Sequence, residues 1–146
     1  MYKTATLQET QKIAKDFAGT LVLQEKATIV ALYGDLGSGK TTFVQSIAKA
    51  LGVEITVTSP TFVIERVYKL TGQKFDHLIH IDCYRIEESP EITLLGWNEK
   101  VTNPRNLIFV EWANRIEEIL PKDTIKIYFE SVDEKTRNIR VMKHGI

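Results

Sequence analysis

The segment Gly34-Asp35-Leu36-Gly37-Ser38-Gly39-Lys40-Thr41 constrains this chain more than any other. It fits the pattern G-x-x-x-x-G-K-[ST], and its flanks supply the context that gives the pattern meaning. Before it, Thr28-Ile29-Val30-Ala31-Leu32-Tyr33 is a short, β-branched, almost continuous apolar run, the form of a strand buried on both faces. After it, Phe43, Val44, Ile47, Ala48 and Leu51 fall on one helical face between Thr41 and Leu51, with Gly52 placed as the stop. A strand, a glycine-rich turn and a helix in this order make an anion site. Glycines let backbone N–H groups turn inward around phosphate oxygens, and the helix start adds about half a positive charge. Lys40 brings a mobile full charge to the β- and γ-phosphates of a nucleotide, and the Thr41 hydroxyl is placed to ligate a Mg²⁺ that bridges them.

The rest of the chain reads as short blocks around that unit. Thr6-Leu7-Gln8-Glu9 has the form of a capping box and opens a helix to about Ala18, before Gly19. Phe62 to Tyr68 and His77 to Asp82 read as strands joined through Thr71-Gly72-Gln73. Ser89, as N-cap before Pro90, predicts a helix to about Lys100. Leu107 to Val110 is a second apolar run ending in Glu111, followed by a short helix through Ile119-Leu120 that Pro121 ends. Ile125 to Glu130 and Ile139 to Lys143 alternate as a closing hairpin, with Val132 to Arg137 as its turn. The expected fold class is α/β: a P-loop NTPase-like, mainly parallel central sheet flanked by helices, with antiparallel hairpin additions.

Composition sets the outer limits. At 146 residues and 43% hydrophobic, the chain suits one domain, 1–146, that buries about 68–70% of its unfolded surface and needs no disulfide or structural metal. Its single cysteine, Cys83, excludes an internal disulfide and suits a reducing compartment. The start carries no apolar signal core and no run reaches the roughly 18 apolar residues of a membrane span, so a cytoplasmic protein is expected. Nineteen basic against nineteen acidic residues argue against bulk electrostatic attachment to nucleic acid.

A nucleotide-bound Mg²⁺ takes a further oxygen ligand, commonly from an acidic residue at the carboxyl end of a neighbouring strand. Asp82 and Glu111 both hold that position. Glu111 follows the stronger apolar run and is the preferred metal ligand, with Asp82 in support or polarising water. His80, two residues before Asp82 on the same strand face, either supports that carboxylate or is a satisfied buried histidine. His77, His80, His144 and Cys83 lack the paired spacing of a zinc site, and Cys83 reads as inert core. Trp112 is either packing or an aromatic wall near the nucleotide or a partner.

Taken in order, Gly34 to Thr42, Ser59-Pro60-Thr61-Phe62, His80-Ile81-Asp82-Cys83-Tyr84-Arg85 and Glu111-Trp112 resemble the small bacterial P-loop ATPases of the TsaE family, also called YjeE, over nearly the whole chain. The resemblance implies that residues 35–42, Thr42 included, bind ATP with Lys40 on phosphate, that Thr41 and Glu111 hold Mg²⁺, and that Asp82 is needed for activity. It also implies that Thr6, Glu9 and Thr10 lie near the base and that Thr61 belongs to a switch-like segment. Arg85 is the motif's candidate cation, for the phosphates or for a partner's surface. The implied role is ATP hydrolysis that sustains threonylcarbamoylation of adenosine 37 in ANN-decoding tRNAs, with TsaD and TsaB as partners. Two other classes stay open: a small metabolite kinase, disfavoured because no Arg-rich lid insertion follows the central strands, and a nucleotide-dependent binding module in which hydrolysis is incidental. A GTPase is disfavoured because no Asn-Lys-x-Asp segment occurs.

Overall fold

The computed structural model describes residues 2–35, 37–53 and 65–143. The described strands are β1 (Tyr2–Thr4), β2 (Thr28–Tyr33), β3 (Glu65–Lys69), β4 (His77–Asp82), β5 (Asn106–Glu111), β6 (Ile125–Ser131) and β7 (Arg137–Met142). They form one sheet in the order β1-β7-β6-β2-β5-β4-β3. The middle four, β6-β2-β5-β4, run parallel, while β3, β7 and β1 add on antiparallel at the two sides. This is the α/β class, with a parallel core and antiparallel additions.

The two apolar runs occupy the middle because they have no polar face to show to water. Every residue of β5 is buried, as are the first five of β2. Alternate side chains then build two cores. Val30, Leu32, Leu78 and Phe109 pack on one face against α1 (Leu7–Thr20) and α2 (Lys40–Ala50), through Ala14, Phe17, Phe43 and Ile47. Ile29, Ala31, Ile79 and Val110 pack on the other against α3 (Pro90–Thr93), α4 (Trp97–Thr102) and a 3-10 segment (Ala113–Ile119), through Ile92, Trp97 and Ile116. Each fully buried side chain of this size contributes about 1.5–3 kcal/mol. Among the described residues no helix is long and apolar enough to cross a membrane.

The structure departs from the sequence expectation at five places. The helix expected from Ser89 to Lys100 is two short ones, α3 and α4, joined through Gly96 at φ 83. Ile92 and Trp97 are both buried in the same core; on a continuous helix five residues of spacing would set them about 140° apart, so the chain must break between them. Ser89 is itself helical in φ/ψ and makes no cap bond. The segment after Glu111 is 3-10 rather than α, with Ile116 outside helical φ/ψ. α1 runs past Gly19 to Thr20, whose hydroxyl donates to the Phe17 carbonyl at 2.6 Å. β7 starts at Arg137, which shortens the turn, and Asp133 Oδ1 accepts from the Lys135 and Thr136 amides there. β1, three residues long, was not foreseen: it has no pattern of its own and exists through its pairing with β7. The expected strand from Phe62 is described only from Glu65 onward.

Candidate active site

The site forms at the carboxyl edge of the parallel strands. β2 leads into the glycine-rich loop, β5 ends at Glu111, β4 ends at Asp82, and the parallel register sets Asp82 directly beside Glu111. Open parallel sheets place their ligand crevice at this edge. Gly34 has φ 149 and lies so close to β6 that a Cβ would sit 2.7 Å from both the Phe129 carbonyl oxygen and Ser38 Oγ. Gly39 caps α2 at φ 105, a left-handed conformation that turns the chain into the helix without strain. A cavity of about 590 Å³ opens over the loop.

Lys40 leaves the first residue of α2 and is only 4% exposed. Its ammonium donates to the Gly34 carbonyl and lies 3.9 Å over the centre of the Trp112 ring. Burial pushes its pKa down, opposed by the charges of Glu111, Asp82 and Asp35. Trp112 is the one described non-glycine residue with positive φ, at φ 56 and ψ 42. Its ring also meets Tyr84 at 5.1 Å between centroids.

Next in the helix, the Thr41 hydroxyl donates to Glu111 Oε1 at 2.9 Å. Glu111 is 3% exposed, and a carboxylate that deep needs partners. Its other oxygen, Oε2, lies 2.5 Å from His80 Nε2. His80 therefore meets Glu111 and not Asp82, the carboxylate its strand position had suggested. Asp82 Oδ1 accepts from the Tyr84 amide at 2.9 Å. The Ser38 hydroxyl is buried in the loop without a hydrogen-bond partner among the described residues.

Thr41, Glu111 and Asp82 together offer a hydroxyl and two carboxylates, all hard oxygen donors. Among the described residues no cluster of three or more His, Cys, Asp or Glu side chains could hold a metal. This donor set suits Mg²⁺, which takes one or two protein oxygens and completes its shell with phosphate and water. Thr41 and Glu111 would be its holders.

The cavity gathers most of the residues singled out in the sequence. Gly37, Ser38, Gly39, Lys40, Thr41, Thr42, Asp82, Glu111 and Trp112 line it, as do Thr6 and Thr10 from the start of α1. Glu9 does not: its amide donates to the Thr6 hydroxyl at 3.1 Å as the helix cap, and its carboxylate accepts from that same hydroxyl at 3.3 Å. Asp35 is exposed outside the wall, and its carbonyl accepts from the Ser38 amide at 3.0 Å. Arg85 is exposed and is not among the lining residues. Leu36 and Thr61 lie outside the described residues. Lys135 and Arg137 were missed. The β6–β7 hairpin brings both to the wall, and Arg137 donates to the Gly37 carbonyl across 3.3 Å and 100 residues of chain. The only signal was that Arg137 alternates with Ile139 and Val141, so it shares the α1/α2 face with them.

The family model described as threonylcarbamoyl adenosine biosynthesis protein TsaE matches residues 4–139. The chain belongs to the TsaE family. It is 36% identical over 138 residues to the tRNA threonylcarbamoyladenosine biosynthesis protein TsaE of Bacillus subtilis, covering 94% of this chain and 82% of that one. The Rickettsia prowazekii protein of the same description is 35% identical over 146 residues, with 99% and 96% covered. The crystal structure of Bacillus subtilis YdiB superposes with a TM-score of 0.77 at 30% identity, over 99% of this chain and 84% of that one. Membership of the TsaE family places the chain in tRNA threonylcarbamoyladenosine biosynthesis.

Proposed function

We propose that this chain is a Mg²⁺-dependent ATPase that works with TsaD and TsaB, hydrolysing ATP to sustain threonylcarbamoylation of adenosine 37 in ANN-decoding tRNAs in the cytoplasm. The observation that carries the reading is the Thr41–Glu111 hydrogen bond, which ties the first turn of α2 to the end of β5 within reach of Lys40 in one cavity. The loop amides and the α2 start hold the phosphates, Lys40 adds its charge once it leaves the Gly34 carbonyl, and Thr41 and Glu111 hold the metal. A Mg²⁺ held by Thr41 and Glu111 would supply neutralisation of the charge that develops on the phosphates. Asp82, beside Glu111, is the group in position to orient an attacking water. Thr6 and Thr10 border the part of the cavity left for the base and sugar. Phosphoryl transfer depends on positioning and charge, and a further cation is worth about 10³–10⁵ in rate where one is supplied in the transition state. A slow isolated enzyme that gains from partner assembly is expected where assembly is what sets that cation on the phosphates. Lys135 and Arg137 within the cavity wall, or Arg85 outside it, are the chain's own sources of such a charge.

The deciding experiment incubates the purified chain with γ-labelled ATP and Mg²⁺, alone and with TsaD, TsaB and tRNA. Slow phosphate release alone, and tRNA modification that depends on ATP turnover in the mixture, are expected. Label transferred to an acceptor would make it a kinase, and binding without release a nucleotide-dependent module.

A further inference from the structure

His80 is fully buried, carries no part of the activity proposed above, and yet touches the residue at its centre. It lies in β4 on the same face as Asp82, and its Nε2 is 2.5 Å from Glu111 Oε2, while Nδ1 is buried with no hydrogen-bond partner among the described residues. These facts select one form of the ring. With the proton on Nε2, the ring donates to the carboxylate and leaves only an unfilled acceptor at Nδ1. With the proton on Nδ1 instead, a buried N–H goes unpaired and the Nε2 lone pair faces a carboxylate oxygen. A ring that donates through Nε2 is the form that fits.

Glu111 is thus held from two sides. His80 engages Oε2 from the interior, and the Thr41 hydroxyl meets Oε1 at 2.9 Å and Oε2 at 3.2 Å from the side on which a metal would be held. We infer that His80 is a positioning residue: as an Nε2–H donor it locks the rotamer of Glu111 and so sets the Mg²⁺ requirement of the site. It does so without touching nucleotide, since it is absent from the cavity wall. The inference rests on the proposed function for its kinetic consequence and on the His80–Glu111 geometry for its donor.

The test uses the full chain with ¹⁵N-labelled histidine, free of metal and nucleotide, and two variants, His80→Gln and His80→Leu. Gln can place an N–H close to the Nε2 position, and Leu fills similar volume without a donor. The ¹⁵N spectrum should show one ring with a proton on Nε2 whose signals vanish in His80→Gln. In hydrolysis assays His80→Leu should raise the Mg²⁺ concentration for half-maximal rate by about 10–100-fold, the usual effect of losing a partner that orients a metal ligand. ATP binding in EDTA should stay within about twofold, and His80→Gln should recover most of the Mg²⁺ response. A ring without a proton on Nε2 would overturn the inference. So would a folded His80→Leu with the parent's Mg²⁺ response, or one whose Mg²⁺-free ATP binding falls as far as its turnover. Should His80→Leu fail to fold, the parent spectrum and the His80→Gln Mg²⁺ response decide. If the parent itself neither binds nor hydrolyses ATP, the proposed function fails while the spectrum still reports on the tautomer.

Discussion

Glu111 and Asp82 sit side by side at two strand ends, and their surroundings divide the work between them. Glu111 is held by Thr41 and His80, while Asp82 accepts from the Tyr84 amide at the cavity wall. Glu111→Gln keeps the volume and removes the charge, so the Mg²⁺ concentration needed for turnover should rise at least tenfold while Mg²⁺-free ATP binding changes little. Asp82→Asn should lower the maximal rate more than the Mg²⁺ requirement. Mg²⁺ titrations of both variants check the assignment, and an exchange of the two phenotypes would reverse it. Cys83, next to Asp82, follows from burial. It is 0% exposed, and burial, then the Asp82 charge, pushes its thiol from 9.0 up to about 12. A group raised in the folded state stabilises fully below its unfolded pKa, and that stabilisation is lost as pH rises between the two values. The melting temperature should therefore fall as pH climbs from about 9 toward 12, more steeply than in Cys83→Ala. A maleimide reagent at pH 8 should leave the folded thiol largely unmodified over minutes, as expected of an inert buried thiol.

The element that most limits sequence change is the turn from β2 into α2. A Cβ on Gly34 would meet the Phe129 carbonyl and Ser38 Oγ at 2.7 Å, and φ 149 is itself a conformation that side chains rarely adopt. Gly34→Ala should cost about 1–3 kcal/mol, from strain and from forcing the loop off β6. Urea unfolding at constant m-value would measure it, and a midpoint equal to the parent's would contradict the close approach. This unit was legible in the sequence because strand, loop and helix are adjacent in the chain and each has its own local signal. The break at Gly96 was not legible. Ser89 and Pro90 promise a helix, and only the shared burial of Ile92 and Trp97 in a distant core ends it at Thr93. Nor was the partner of His80, because its meeting with Glu111 depends on which strands are neighbours and in what register.

At the scale of the whole molecule, the cavity is walled by parts of the chain that are far apart in sequence. Gly37 to Thr42 come from the loop and helix, Thr4 and Thr6 from the first residues, and Lys135 and Arg137 from the last hairpin. A ligand bound there binds the folded state alone, and at a hundred times its dissociation constant it should add about 2.7 kcal/mol of stability. ATP should accordingly raise the melting temperature of the parent, and Lys40→Ala, lacking the loop's ammonium, should remain folded and show a much smaller rise. The central strands and the loop were readable in advance because their signals are local, whereas the cationic hairpin wall came only with the sheet order. β1 gives this wall its character. It is a three-residue edge strand whose only described pairing is with β7, yet it sets buried Thr4 against the cavity. Short edges with one neighbour are the first to fray, with opening free energies near the bottom of the range a protein shows. The cavity therefore borders the segment expected to exchange its amide hydrogens fastest. Occupancy should be recorded there as protection: the paired amides of Tyr2 to Thr4 should exchange more slowly with ATP bound, whereas those of β5, an interior strand paired on both sides, should keep their rates.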